Sequence, residues 1–68
     1  MTMYRHHKGG VYELLFIATH SETAEKLVIY RNAEGTFARP YDMFFENIIK
    51  DGKMVPRFKK IDSIENIE

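Results

Sequence analysis

The chain contains no cysteine and no tryptophan. Without thiols there is no disulfide framework and no thiolate metal centre, and nothing points to an oxidising compartment. Long apolar runs are missing too. The longest, Leu14 to Ala18, falls far short of the roughly 18 residues that a membrane-crossing helix needs, so it reads as a strand and no membrane partner is expected. Residues 1–10 carry Arg5 and Lys8 with no apolar stretch, so no secretion signal is expected and the cytoplasm is the expected location. Excess charge of one sign is also absent: 10 Lys and Arg balance 10 Asp and Glu. Affinity for nucleic acid comes largely from neutralising phosphates, so a balanced domain is a poor start for that role, although a local basic face stays open. Repeats, low-complexity tracts and linkers are missing as well. The 68 residues are expected to form one domain, and one of that size buries only about 60% of its unfolded surface.

Aromatic residues are abundant, with 5 Phe and 4 Tyr, and in so short a chain they supply the core. The spacing predicts strands at Val11 to Thr19, Leu27 to Arg31 and Thr36 to Arg39, with a short lead-in strand within Met3 to Lys8. His20 to Lys26 is a polar loop. Asn32-Ala33-Glu34-Gly35 reads as a four-residue hairpin loop with Gly35 in the left-handed position. Pro40 cannot donate to a ladder, so it ends a strand and suits the first position of a helical turn over Tyr41 to Glu46, with Met43 and Phe44 folding onto the core. Asp51-Gly52 is the strongest turn signal and joins strands at Asn47 to Lys50 and Lys53 to Lys59. Asp62-Ser63-Ile64-Glu65 has capping-box spacing. Short strands with turn signals between them predict an all-β protein. The best match is a small Src-homology-3-like antiparallel barrel of about five strands, partly open, with one short helical turn; an oligonucleotide/oligosaccharide-binding barrel is the alternative.

Short polar blocks sit at the edges of the apolar runs: His20-Ser21-Glu22-Thr23, Tyr30-Arg31, Arg39-Pro40 and Pro56-Arg57-Phe58. In a small barrel, strand ends meet at the mouth. The expected ligand-binding residues are therefore His20, Ser21, Glu22, Tyr30, Arg31, Arg39 and Arg57. If Arg31, Arg39 and Arg57 converge, their forks suit carboxylate or phosphate; the alternative is ion pairing with Glu22, Glu25, Asp42 or Glu46.

Catalysis at His20, Ser21 and Glu22 is not expected. Consecutive strand residues project to opposite faces, and no glycine-bounded elbow surrounds Ser21. The plainer reading is that Ser21 and Thr23 bond nearby backbone while His20 anchors the loop through one ring nitrogen. His6-His7 is not expected to hold a metal, since no close carboxylate or thiolate completes a set. Lys50, Lys53, Lys59 and Lys60 flank the Asp51-Gly52 hairpin as a solvated basic face or, alternatively, a nucleic-acid contact.

Taken together, Tyr4-Arg5-His6-His7-Lys8-Gly9, Tyr12, Ala18-Thr19-His20-Ser21-Glu22-Thr23, Leu27-Val28-Ile29-Tyr30-Arg31, Arg39-Pro40, Met43-Phe44 and Val55-Pro56-Arg57-Phe58 resemble the domain-of-unknown-function 1653 family of small bacterial proteins. The resemblance spans roughly residues 4 to 61. It implies a Src-homology-3-like β-barrel and no activity. One departure is visible: the pattern usually has an aromatic, often tryptophan, just before the Arg-Pro pair, and here Ala38 precedes Arg39. The expected function is a non-catalytic binding module without a cofactor. It would recognise a protein segment or a small anionic ligand at the barrel mouth. A nucleic-acid-binding barrel is the alternative.

Overall fold

The computed structural model describes residues 1–61; the Asp62 to Glu65 capping box lies outside the described residues. Strand β1 spans Thr2–His6, β2 Val11–Thr19, β3 Lys26–Asn32 and β4 Gly35–Pro40. A four-residue helix α1, Tyr41–Phe44, follows, then β5 Asn47–Lys50, β6 Lys53–Pro56 and β7 Phe58–Ile61. The strands form a 5-stranded antiparallel sheet in the order β4-β3-β2-β1-β7 and a separate 2-stranded hairpin, β5-β6.

Local chemistry accounts for the connections. Asp51 and Gly52 both hold positive φ, 53° and 77°, as a two-residue type I′ turn requires, and Asp-Gly is a favoured pair for it. Asn32 pairs with Gly35, so the β3–β4 turn is tighter than the four-residue loop expected. Ala33 and Glu34 alone make it, and the Glu34 N–H donates to Asn32 Oδ1 at 2.8 Å. Pro40 has no N–H to give and stands as the N-cap of α1 rather than its first residue. The strand expected over Lys53 to Lys59 is broken at Arg57. There the chain leaves the hairpin and joins the main sheet beside β1.

Side-chain parity decides what is buried. On β3, Val28 and Tyr30 point inward and are buried, while Ile29 and Arg31 point outward. The core consists of Val28, Tyr30, Phe44 and Phe58, with Tyr4, Tyr12 and Leu14 packed against it. Phe44 and Phe58 stack at 4.1 Å with their planes 5° apart. Tyr30 meets Phe44 at 5.3 Å, Tyr12 and Phe58 at 5.4 Å each. Such aromatic pairs contribute about 0.5–1.5 kcal/mol each beyond their buried area. Of the two α1 residues expected in the core, Phe44 is fully buried and Met43 is not.

A small closed barrel is not what forms: both sheets are open. The two edges of the main sheet, β4 and β7, do not pair. β4 ends at Pro40 and runs directly into α1, and the next two strands pair only with each other. α1 sets Phe44 against the inner face, so the core is covered without closure. Among the described residues, no helix is long and apolar enough to cross a membrane.

Candidate functional site

The expected site residues separate into three places. His20 closes the β2–β3 loop. Its Nδ1 accepts the N–H groups of Glu22 at 3.1 Å and Thr23 at 3.3 Å. Its own N–H donates to the Glu25 carbonyl at 2.7 Å, and Ala24 N–H returns to the His20 carbonyl at 2.9 Å. With Nδ1 accepting, the neutral ring carries its proton on Nε2. This is the loop-anchoring role read from the sequence, and Ser21 and Glu22 are exposed beside it.

Arg31 stands apart from Arg39 and Arg57, whose charges both act on His6. Arg31 lies at the other end of β3, on the outer face, and Nη2 pairs with Glu13 Oε1 at 3.1 Å on the neighbouring strand. Arg39 stands opposite Val28 and so shares the inner face. Its Nε donates to the Tyr30 hydroxyl at 3.2 Å, and its guanidinium carbon lies 5.5 Å from the Phe58 ring centre. Arg57 binds Glu46 twice: its N–H donates to the Glu46 carbonyl at 2.9 Å, and Nη2 meets Oε2 at 3.0 Å. Tyr30, expected among the ligand-binding residues, belongs to the core and is 5% exposed. Arg31 and Arg57 thus follow the ion-pairing alternative: Arg57 takes Glu46, one of the carboxylates expected for it, and Arg31 takes Glu13, which was not among them.

A different set of cations meets around a cleft. About 340 Å³ lies between the end of β1, the β1–β2 turn, the hairpin and β7, lined by Arg5, His6, His7, Gly9, Lys50, Val55, Pro56 and Lys59. Two features of the backbone build it. Gly9, at φ 109°, takes a conformation open essentially to glycine, which lets the β1–β2 turn fold tightly. Its N–H donates to the His6 carbonyl at 2.7 Å, and the His6 N–H donates to the Gly10 carbonyl at 2.7 Å. The β1–β7 pairing then places Arg5 directly opposite Lys59. On the hairpin, Lys50 stands directly opposite Lys53. Like charges across a rung are destabilising, on a scale of roughly 0.2–1 kcal/mol. Among the described residues, the ion pairs are Arg31–Glu13 and Arg57–Glu46. Among the described residues, no carboxylate lies within ion-pair distance of Arg5, Lys50 or Lys59. Lys50 Nζ donates instead to the His7 carbonyl, which ties the hairpin to the turn.

The two imidazoles line this cleft side by side, with ring centres 4.3 Å apart. His6 also meets the Phe58 ring edge-on at 4.8 Å, and its Nδ1 accepts the Lys8 N–H at 3.1 Å. Burial pushes the His6 imidazole below its ordinary value, and His7, Arg39, Arg57 and Lys8 push it the same way. Burial and the charges of Lys50, Lys8 and Arg57 lower His7 as well. His7 Nδ1 is buried with no hydrogen-bond partner, as is Arg57 Nε. The lining holds donors and cations and no carboxylate, hydroxyl or thiol. Among the described residues, no three His, Cys, Asp or Glu side chains gather as a metal set would.

The sequence reading missed this cleft because its parts are far apart in the chain. Arg5 and Lys59 meet only through the β1–β7 pairing. Two signals were present: the run Arg5-His6-His7-Lys8-Gly9, basic and ending on a glycine, and the basic face that includes Lys50 and Lys59.

No curated protein and no solved structure matches the chain. A family model does: the one described as "Protein of unknown function (DUF1653)" matches residues 2–60, nearly the whole sequence. The chain belongs to that family.

Proposed function

We propose that this protein is a non-catalytic binding module that takes a small anionic ligand in the cleft formed by Arg5, His6, His7, Lys50 and Lys59. The observation that carries this reading is the Arg5–Lys59 rung. A stable sheet gains nothing from two cations facing each other, and a bound anion turns that repulsion into attraction for both. A binding role is supported by the lining, which offers positive charge and donors but no carboxylate, hydroxyl or thiol. The cleft also lacks Phe and Tyr. That favours a small ligand over the nucleic-acid alternative, which would use exposed aromatics as base-stacking platforms. The chain path supports a partly open, Src-homology-3-like arrangement as part of this proposal: four strands in an antiparallel meander, with the last strand beside the first. The cytoplasm, expected from the sequence, is kept in the proposal as its location.

The test is thermal unfolding of the natural chain and of the double variant Arg5→Ser, Lys59→Ser, in sodium sulfate and in sodium chloride at matched ionic strength. Sulfate stabilises most proteins a little by exclusion from their surface, so the variant supplies the baseline. The reading predicts that sulfate raises the Tm of the natural chain by several degrees more than that of the variant. It also predicts that the variant without sulfate is at least as stable as the natural chain at low salt. Equal sulfate responses in the two proteins would contradict it.

A further inference from the structure

We infer that the anion this cleft takes is a doubly charged oxyanion of the phosphate-monoester type, bound together with a proton taken up by the His6–His7 pair. This rests on the reading of the cleft as an anion site and adds the ligand's charge and its coupling to pH.

The first argument is a charge count. Three fixed cations line the cleft: Arg5 on β1, Lys50 on β5 and Lys59 on β7. A singly charged ligand leaves two of them unbalanced inside one small concavity, and a doubly charged one leaves one. The second argument is the donor set. A phosphate monoester presents three oxygens. The Arg5 guanidinium supplies a planar fork, Lys59 an ammonium with three N–H bonds, and the imidazoles ring N–H groups. Lys50 already gives a hydrogen bond to the His7 carbonyl, so it acts mainly through its charge.

The third argument is the pair of imidazoles themselves. Their rings lie 4.3 Å apart, so both cannot be charged without strong mutual repulsion. Among the described residues, the charged groups that act on them are positive: Arg39 on β4, Arg57 before β7, Lys8 in the β1–β2 turn and Lys50 on β5. The carboxylate beside Arg57, Glu46, is engaged by it. These charges, with burial, hold both rings below their ordinary value and so favour the neutral pair. A dianion placed among the same residues offsets much of that positive charge and accepts hydrogen bonds from ring N–H groups, and one ring then gains a proton. His7 Nδ1, buried and without a partner, is a ring atom whose hydrogen-bonding capacity the protein alone does not satisfy.

The experiment is calorimetric titration with inorganic sulfate, inorganic phosphate and dimethyl phosphate at pH 5.5, 6.5 and 7.5, each in two buffers of different ionisation enthalpy. Sulfate keeps both charges throughout that range, so any proton uptake on binding it belongs to the protein. The linkage relation limits the gain to about tenfold in affinity per pH unit for one proton. The inference predicts that sulfate affinity rises at least about tenfold from pH 7.5 to 5.5, with up to one proton taken up. Dimethyl phosphate, a monoanion, should bind at least about tenfold more weakly than sulfate. The imidazole resonances of His6 and His7 should move downfield with sulfate, while those of His20, in the β2–β3 loop, should stay in place. His6→Gln and His7→Gln are each expected to reduce the proton uptake. Should either variant fold poorly, the resonance test on the natural chain decides. Sulfate binding with the same affinity at all three pH values and no proton uptake would overturn the inference and leave the anion reading standing. No binding of any of the three anions would overturn both.

Discussion

Replacing Arg39 with Met separates a structural arginine from a ligand-binding one. Methionine keeps an unbranched stem of similar reach and removes the guanidinium. Two interactions are lost: the Nε donation to the Tyr30 hydroxyl at 3.2 Å and the contact with the Phe58 ring at 5.5 Å. The hydrogen bond is at the long end of the N–H···O range, so about 1 kcal/mol is a fair value despite the charged donor. The cation–ring contact is partly exposed and contributes about 0.5–1 kcal/mol. The expected loss is about 1.5–2 kcal/mol. A chain of 68 residues has a total stability of about 3–10 kcal/mol, so the variant still folds. In urea, with a slope of about 1 kcal/mol/M for a domain this small, the midpoint should fall by about 1.5–2 M. Tyr30→Phe removes the same hydrogen bond from its other end. The double variant should therefore lose less than the sum of the singles, with a coupling of about 1 kcal/mol. Sulfate binding, measured on the folded variant, should stay within about threefold, since Arg39 lies outside the cleft lining. The reasoning is refuted if Arg39→Met unfolds within about 0.5 kcal/mol of the natural chain while losing the sulfate response.

Three further outcomes are expected. Phe44→Ala removes a fully buried ring stacked on Phe58; its loss of about 3–5 kcal/mol matches much of the total, so the variant should be largely unfolded by circular dichroism at 37 °C. Arg31→Ala breaks an outer-face pair whose arginine side chain is 55% exposed; it should change stability by no more than about 1 kcal/mol and leave anion binding intact. His6 and His7 are both held below their ordinary value of 6.5, so the unfolded chain binds more protons than the folded one. Their contribution to stability is therefore complete above pH 6.5 and is lost as pH falls through 6.5 toward the folded-state values. Urea midpoints at a series of pH values should show this decline, and His6→Gln with His7→Gln should flatten it.

Local signals in the sequence were read well. Val11 to Thr19 is a strand with the bounds its alternation indicated, and Asp51-Gly52 makes the turn its residues favour. Pro40 marks the change from strand to helix, and the aromatic residues form the core. What escaped was set by parity and by distant pairing. Arg31 and Arg39 both adjoin strand ends, yet they face opposite sides of the sheet because β3 alternates and β4 follows its register. Tyr30-Arg31 looked like one polar block, whereas its two residues divide between core and outer face. An extended chain would send adjacent His6 and His7 apart. The turn that begins after His6 brings their rings together instead. The sheets stay open, and α1, rather than strand pairing, covers the inner face.

The most direct test of the anion-site claim is a heteronuclear NMR titration of the isotope-labelled chain with sodium sulfate at low ionic strength and pH 6. Shift changes that saturate and concentrate on Arg5, His6, His7, Gly9 and Lys59 are the predicted result. Changes centred on His20, Ser21 and Glu22 or on Arg31, or no saturable change anywhere, would contradict it.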